Sequence, residues 1–429
     1  MSGDIGDASA HITMKLLKIT TAYPKYLKRF YDRRPLLASR PFAEQKTALD
    51  HDAFGWGDFW SHAMGPLGYE VLELTINAEP QQRAWAEENG LSGGVVADLK
   101  QIAVEQVRQF RPEILWYDDT DVELLRRIRS SVPSIRLVLG WVGSAIPSTD
   151  VWGHMDLVLS CAPESVTAME EAGYPAAHLH HGFDPRINAR LADGSKRIDC
   201  SFIGQLVRTG QVHRQREQFI EMIAGQTGIE IFSPSAAFSW QDDVKAVLKA
   251  GVYRSAHALK AAGLPTPVIK ALPLLGAAVQ WPAEPVRPVN RRLRRFLRPA
   301  VFGLEMFQVL RDSKITLNIH ADSSPRFASN MRLFETTGVG TCLITDWKEN
   351  LHELFVPDKE VVTYRNAQEC VEKVQWLLDH PREREEIAAA GMARTLREHT
   401  FAHRAVELDR IIRTALAKGR GRSVIPCAD

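Results

Sequence analysis

The chain has 429 residues, a net charge of +1, and 45% hydrophobic and 24% charged residues. That length exceeds one ordinary core and points to two domains, and the composition is that of a globular protein. The near-zero charge gives no global pull toward nucleic acid or an anionic membrane, and no apolar run reaches the roughly eighteen residues of a membrane span. Five scattered cysteines, Cys161, Cys200, Cys342, Cys370 and Cys427, form neither a disulfide framework nor a zinc motif and suit a reducing cytoplasm. Residues 1–13 are polar and acidic, unlike a secretory signal, and read as a disordered leader.

Lys15–Thr21 (KLLKITT) reads as the first strand. The loop after it, AYPKYLKRFY, is aromatic and basic. Tyr23, Lys25 and Tyr26 are candidates to touch an acceptor; a plain surface loop with aromatic anchors is the competing reading. Asp50–Met64 carries Asp58 and His62 four apart, an acid–histidine pair that would act on an acceptor hydroxyl or simply be structural. Gly68–Asn77 gives a turn and strand, and Val95–Phe110 an amphipathic helix ending before Pro112. The next strand, Glu113–Tyr117, closes on Asp118, Asp119 and Asp121. Three carboxylates raise the question of a metal, but Asp119-Thr-Asp also opens a helix, where acids are favoured as caps, and caps are the preferred reading. Further strands fall at Ile135–Val142, Asp156–Ser160 and Ala176–Pro185, the last with His180 and His181 on opposite faces. Such alternation predicts a parallel, doubly wound sheet.

Leu191–Arg197 is a polar linker. Asp199–Ile203 restarts with a strand, and Glu230–Ser233 adds another. Between Pro234 and Pro299 the pattern weakens and reads as an insertion, residues 234–300. Its arginines between Arg287 and Arg298 are candidates for a peripheral contact with anionic lipid or a phosphorylated acceptor, against the simpler reading of a solvated face. Val301–Thr345 then reads as helix, strand (Ile315–Ile319), polar loop (Ala321–Ser329), helix from about Asn330, and strand (Thr341–Thr345), with Gly338 and Gly340 as the helix stop. In open α/β sheets a ligand binds at the carboxyl end of such strands, and a helix start attracts an anion. Arg332 would bind a diphosphate and Glu335 a pair of sugar hydroxyls, or the two would form an i,i+3 ion pair; spacing does not choose. His320, at the strand end, bonds either a phosphate or sugar, or only backbone. No G-x-G-x-x-G or P-loop follows a strand, which excludes the nicotinamide enzymes and P-loop hydrolases.

RLFETTGVGTCLIT, then ELFVPDKEVVTY and EREEIAAAGMARTLREHTFAHRA, resembles the C-terminal half of the CgeB-like (spore maturation protein) glycosyltransferases, which are similar to family 1 and family 4 glycosyltransferases. The close resemblance covers about Phe302 to Leu408. It implies the GT-B fold: two Rossmann-like, doubly wound parallel-sheet domains facing a cleft. Residues 14–195 would hold the acceptor and 196–400 a nucleotide-diphosphate sugar, with 401–429 a helix crossing back to the first domain and a tail. Gly182-Phe183-Asp184 matches a turn found in related enzymes. The resemblance implies donor contacts from Gly204, Arg208, Arg216, His320, Asn330, Arg332, Glu335, Thr336 and Gly338, no cofactor, no metal, and a retaining outcome. Glu335 matches the second glutamate of the family-4 EX7E motif, but the first position holds Phe327; Asp322 or Asn330 would have to replace it. Asp322 joins Asp58 and His62 as a catalytic candidate, without a decision among them. The alternative is a non-catalytic nucleotide- or saccharide-binding protein of coat or surface assembly.

Overall fold

The structure, a computed structural model, describes residues 13–91, 93–94, 98–143, 145–206 and 214–419. The leader up to residue 12, Arg208, and the tail with Cys427 lie outside the described residues.

Two all-parallel sheets of six strands organise the chain. The first contains β1 (Met14–Thr20), β2 (Tyr69–Thr75), β3 (Ile114–Tyr117), β4 (Leu137–Val142), β5 (Leu157–Ser160) and β6 (Ala176–His178), in spatial order β2-β1-β3-β4-β5-β6. The second contains β7 (Ile198–Ile203), β8 (Glu230–Phe232), β9 (Leu297–Arg298), β10 (Ser313–Asn318), β11 (Cys342–Asp346) and β12 (Val362–Tyr364), in order β12-β11-β10-β7-β8-β9. Helices cover both faces, so central strands such as ILWY in β3 are buried at every position. The order reverses between β1 and β3 in the first sheet and between β7 and β10 in the second. At such a reversal the crossover helices leave on opposite faces, and a crevice opens beyond the carboxyl ends of the two strands. Both sheets are Rossmann-like and doubly wound.

The weakly patterned stretch is a helical hairpin. Trp240–Ala261 forms a 22-residue helix, and short helices Thr266–Lys270 and Leu275–Ala278 fold back on it. Val252, Leu259, Leu275 and Trp281 pack around Ala256, Ile269, Ala278 and Val279 as a small separate core. The linker is fixed by Lys196, whose Nζ donates to the carbonyls of Ser313 (3.1 Å) and Gly340 (3.0 Å) and to Thr341 Oγ1 (3.1 Å), at the amino edge of the second sheet. Burial lowers this ammonium to about 8. The final helix, Phe401–Gly419, lies against the first domain: Phe401 packs on Phe59 and Trp60, and Asp409 accepts a 2.7 Å bond from Tyr69 Oη.

The central helix differs from expectation in three ways. It begins at Arg332 rather than Asn330 and ends at Gly338. Of the two glycines expected to stop it, only Gly340 adopts a left-handed conformation, φ +77°. Gly338 is needed for a close approach instead: a Cβ there would lie 2.4 Å from the Phe183 ring of the first domain. Gly338 is therefore a packing residue between the domains. Because the ring cannot swing aside, Gly338→Ala is expected to destabilise the chain by about 1–3 kcal/mol, read as a lowered midpoint of thermal unfolding.

Candidate functional site

The second reversal, between β7 and β10, gathers most of the predicted donor residues. Gly204 follows β7, and Arg216 lies near the start of the helix Arg214–Thr227 that follows. The Arg216 guanidinium is buried across Phe202, 5.7 Å from the ring centre, and donates to the Ile319 carbonyl at 2.8 Å, just beyond β10. Burial lowers it to about 10, while the charges of Asp322 and Asp346 work the other way. His320 follows β10. Its Nδ1 is 2.7 Å from Asp346 Oδ1 at the end of β11, and its backbone N–H donates to the same oxygen at 3.1 Å. Burial pushes the Asp346 carboxyl up, but His320 and Lys348 outweigh it and hold the group well below the usual carboxylate range.

A chain of side-chain bonds ties these groups together. Asn330 Nδ2 donates to Asn318 Oδ1 (2.7 Å), Asn318 Nδ2 to Thr345 Oγ1 (2.9 Å), and Thr345 Oγ1 to Asp346 Oδ1 (3.3 Å). Set against this ordered network are buried atoms with no hydrogen-bond partner among the described residues: Arg216 Nε, His320 Nε2, Ser323 Oγ, Asn330 Oδ1 and Thr336 Oγ1. A buried polar atom left unpaired costs about 1–3 kcal/mol, so several at one strand reversal mark a place built for a polar ligand.

Arg332 and Glu335 form a 2.8 Å ion pair, with only 17% and 9% of their side chains exposed. The i,i+3 pair is thus present, but buried rather than on the surface. Arg332 also contacts Met306 sulfur at 3.1 Å. Burial raises the Glu335 carboxyl, which Arg332 partly offsets. The helix is seven residues long, and the amides of Phe334 and Glu335 already donate to the Met331 carbonyl.

The polar loop after β10 is held by the other domain. Glu164, in the helix Pro163–Glu171, accepts from the backbone amides of Arg326 and Phe327 (both 3.0 Å) and from Ser324 Oγ (3.2 Å). Asn350 pairs with both backbone groups of Ala328, and Lys348 Nζ donates to the Ser324 and Pro325 carbonyls. Phe327 thus sits where the loop is latched. Asp322, in the same loop, is half-buried.

In the first domain, Asp58 is the residue before the helix Phe59–Met64, and both its oxygens are 2.9 Å from the Arg186 guanidinium. Arg186 also grips Asp184 of the Gly-Phe-Asp turn. His62 is exposed on the helix, so the structure does not bring this acid and histidine together as a working pair. Tyr23 is 59% exposed, and Lys25 is exposed beside it. Tyr26 is buried, stacked on Phe54 at 3.9 Å, with its hydroxyl donating to Asp52 (2.9 Å). It lines a cavity of about 250 Å³ between the domains, with Arg29, Arg34, Asp52, Phe302 and Glu305. Asp121 caps its helix by accepting from the Leu124 amide, and Asp119 accepts from the Asp121 amide, as caps and turns do. β6 ends at His178, so His180 and His181 fall beyond the strand; His181 is buried 5.4 Å from Trp141.

Sequence reasoning missed a buried row across the first sheet. Lys18 on β1 is in register with Glu73 on β2 and Trp116 on β3. Its ammonium lies 4.7 Å from the Trp56 ring centre, and burial lowers its pKa. Burial raises the Glu73 carboxyl to about 7, and one of its oxygens has no partner among the described residues. The available signal was a charge in each of two strands of a sheet covered on both sides. A carboxyl raised in the folded state loses its stabilising contribution as pH climbs from the ordinary carboxylate range to about 7. Glu73→Gln is therefore expected to gain up to about 3 kcal/mol over the parent at pH 8, shrinking toward nothing near pH 5, measured by denaturant unfolding at both pH values.

Residues 216–410, just under half of the chain, match the family model described as glycosyl transferase-like. The solved Anabaena Alr3699/HepE in complex with UDP-glucose superposes with a TM-score of 0.52 at 10% identity, over 94% of this chain and 100% of that one. The fold is GT-B, and its second half matches a glycosyl transferase-like domain. Sucrose-phosphate synthase from Thermosynechococcus elongatus aligns with a TM-score of 0.47 at 9% identity, over 94% and 100% of the two chains. Comparison with curated proteins gives no match. The glycosyltransferase match begins at Arg216, so Arg216, His320, Arg332 and Glu335 all fall within the matched domain.

Proposed function

We propose that the chain is a glycosyltransferase that moves a sugar from a nucleoside-diphosphate sugar to an acceptor hydroxyl, with the diphosphate at the β7/β10 reversal. The carrying observation is the meeting there of a buried arginine and a buried histidine, each with a nitrogen that has no partner among the described residues. The bond from the anomeric carbon to the diphosphate breaks, a bond to the acceptor oxygen forms, and the hydroxyl proton leaves to a base or solvent. The departing negative charge needs preorganised donors in a dry site. In this reading Arg216, His320 and Arg332 supply those donors, and no metal is needed. Asp322 is the carboxylate left on the loop to meet the donor sugar, and Thr336 Oγ1 and Asn330 Oδ1 are further contacts. The resemblance to family-4 enzymes supports retention. UDP-sugars are the first donors to try, because a protein of this fold has been solved with UDP-glucose. The buried free cysteines Cys161, Cys200, Cys342 and Cys370 support a reducing, cytoplasmic setting.

A binding module without turnover gains from one observation: the loop position of the missing glutamate is Phe327, and its amide is taken by Glu164. Thermal unfolding against UDP, GDP and dTDP sugars, followed by assay of transfer and hydrolysis with the stabilising donor, separates the readings. A donor at about one hundred times its Kd adds about 2.7 kcal/mol. Stabilisation with turnover supports the transferase, stabilisation without any sugar release supports the module, and no stabilisation by any of them removes the donor site.

A further inference from the structure

The hairpin 240–278 has a surface unlike the rest of the molecule. Of the eighteen large hydrophobic side chains that are exposed among the described residues, ten fall between 234 and 300. On the long helix, Trp240, Val244, Val247 and Leu248 are all exposed and stand at i, i+4, i+7 and i+8. That spacing makes one continuous apolar stripe. Further along the same helix, Val252, Ala256 and Leu259 turn into the small core built with the returning helices. Leu264, Val268, Leu272 and Leu274 extend the exposed apolar surface over the proline-rich turn. Leu274 stands out: its φ is +67°, a conformation that side-chain-bearing residues rarely adopt, and its side chain is 80% exposed.

The same segment is strongly basic. Residues 234–300 hold eleven Lys and Arg against three Asp and Glu, a net +8, in a chain whose total is +1. The neutral whole conceals a basic element on an otherwise acidic body. Several arginines are already engaged: Arg292 with Glu221 (2.8 Å), Arg294 with Asp243 (3.0 Å) and Arg298 with Glu230 (2.7 Å). The hairpin also carries the exposed lysines Lys245, Lys249, Lys260 and Lys270, with Lys245 at 3.9 Å from Asp242.

We propose that this hairpin docks on an anionic lipid bilayer, with the Trp240–Leu248 stripe and the Leu264–Leu274 turn entering the boundary between headgroups and acyl chains and the lysines meeting lipid phosphates. Exposed apolar area and clustered cations on one element are the two terms that hold an interfacial helix to such a surface. No described helix is long and apolar enough to cross a membrane, so the contact lies along the surface. The proposal concerns where the chain works and does not depend on how the donor is bound.

Flotation of the full chain with phosphatidylcholine vesicles, with and without phosphatidylglycerol, tests it. The chain is expected to float with the anionic vesicles and to bind neutral ones at least about tenfold more weakly. Val244→Glu with Leu248→Glu should abolish flotation. Trp240→Ser, which adds no charge, should weaken it several-fold. Lys245→Glu with Lys249→Glu should erase the preference for anionic lipid. Unfolding midpoints should stay at the parent value in each variant, because all five side chains are exposed. A parent chain that stays with the soluble fraction overturns the proposal, as does a Val244→Glu/Leu248→Glu variant that floats like the parent. Light scattering that shows a dimer split by those substitutions, without flotation of the parent, reassigns the face to a second copy of the chain and also overturns it.

Discussion

Arg216→Ala is expected to lower kcat/KM for sugar transfer by about 10²–10³-fold, the cost of removing one preorganised donor from a developing anion. The guanidinium is fixed by the Ile319 carbonyl on one side and by Phe202 below, and its Nε has no partner among the described residues. Arg216→Lys keeps a cation but loses the planar fork, so it should fall between parent and alanine. Nucleotide titration beside the kinetics shows where the loss lies. If binding of the free nucleoside diphosphate and turnover both fall, the residue holds the diphosphate. A variant that unfolds earlier yet binds the nucleotide normally assigns Arg216 to packing alone.

Glu335→Ala is expected to destabilise the chain by about 3 kcal/mol, the low end for breaking a buried pair, because it strands the Arg332 guanidinium beside Met306 sulfur. Denaturant unfolding measures the loss. The double variant Arg332→Met/Glu335→Leu removes both charges and should recover most of the stability, since an ion pair replaced by apolar groups of similar volume is close to neutral. Donor binding in that double variant separates the two readings left by the spacing. Recovered stability with lost nucleotide binding makes the pair part of the donor site. Recovery of both makes it structural, and Arg216 and His320 then carry the anion without it.

The unit from Val301 to Thr345 was readable because its information is local. Met306, Val309 and Leu310 fall at helical spacing, and KITLN and TCLIT are runs that suit strands buried on both faces. What placed the site was not local. The strand order β12-β11-β10-β7-β8-β9 sets Arg216 beside His320, about a hundred residues on, and no periodicity announces which strands will be neighbours. Gly338 shows the same limit: the residues around it read as a helix stop, while its reason is Phe183, in another domain. Phe327 is a third case, since the carboxylate at that loop position, Glu164, comes from the first domain. The hairpin escaped because its small core is shared between one long helix and two short ones set among prolines, and because the long helix also carries apolar residues on an exposed face, which blurs the periodic signal. Lys18 and Glu73 were passed over because a charge in a strand looks like a solvent-facing position until helices are known to cover both faces.

The most direct test is a crystal structure of the chain with UDP. The account predicts the diphosphate beyond the carboxyl ends of β7 and β10, with its oxygens in hydrogen-bond reach of Arg216 and of His320 Nε2. Density for the nucleotide in the arginine-lined cavity beside Tyr26, with Arg216 and His320 packed as they are now and touching nothing of it, would contradict the account.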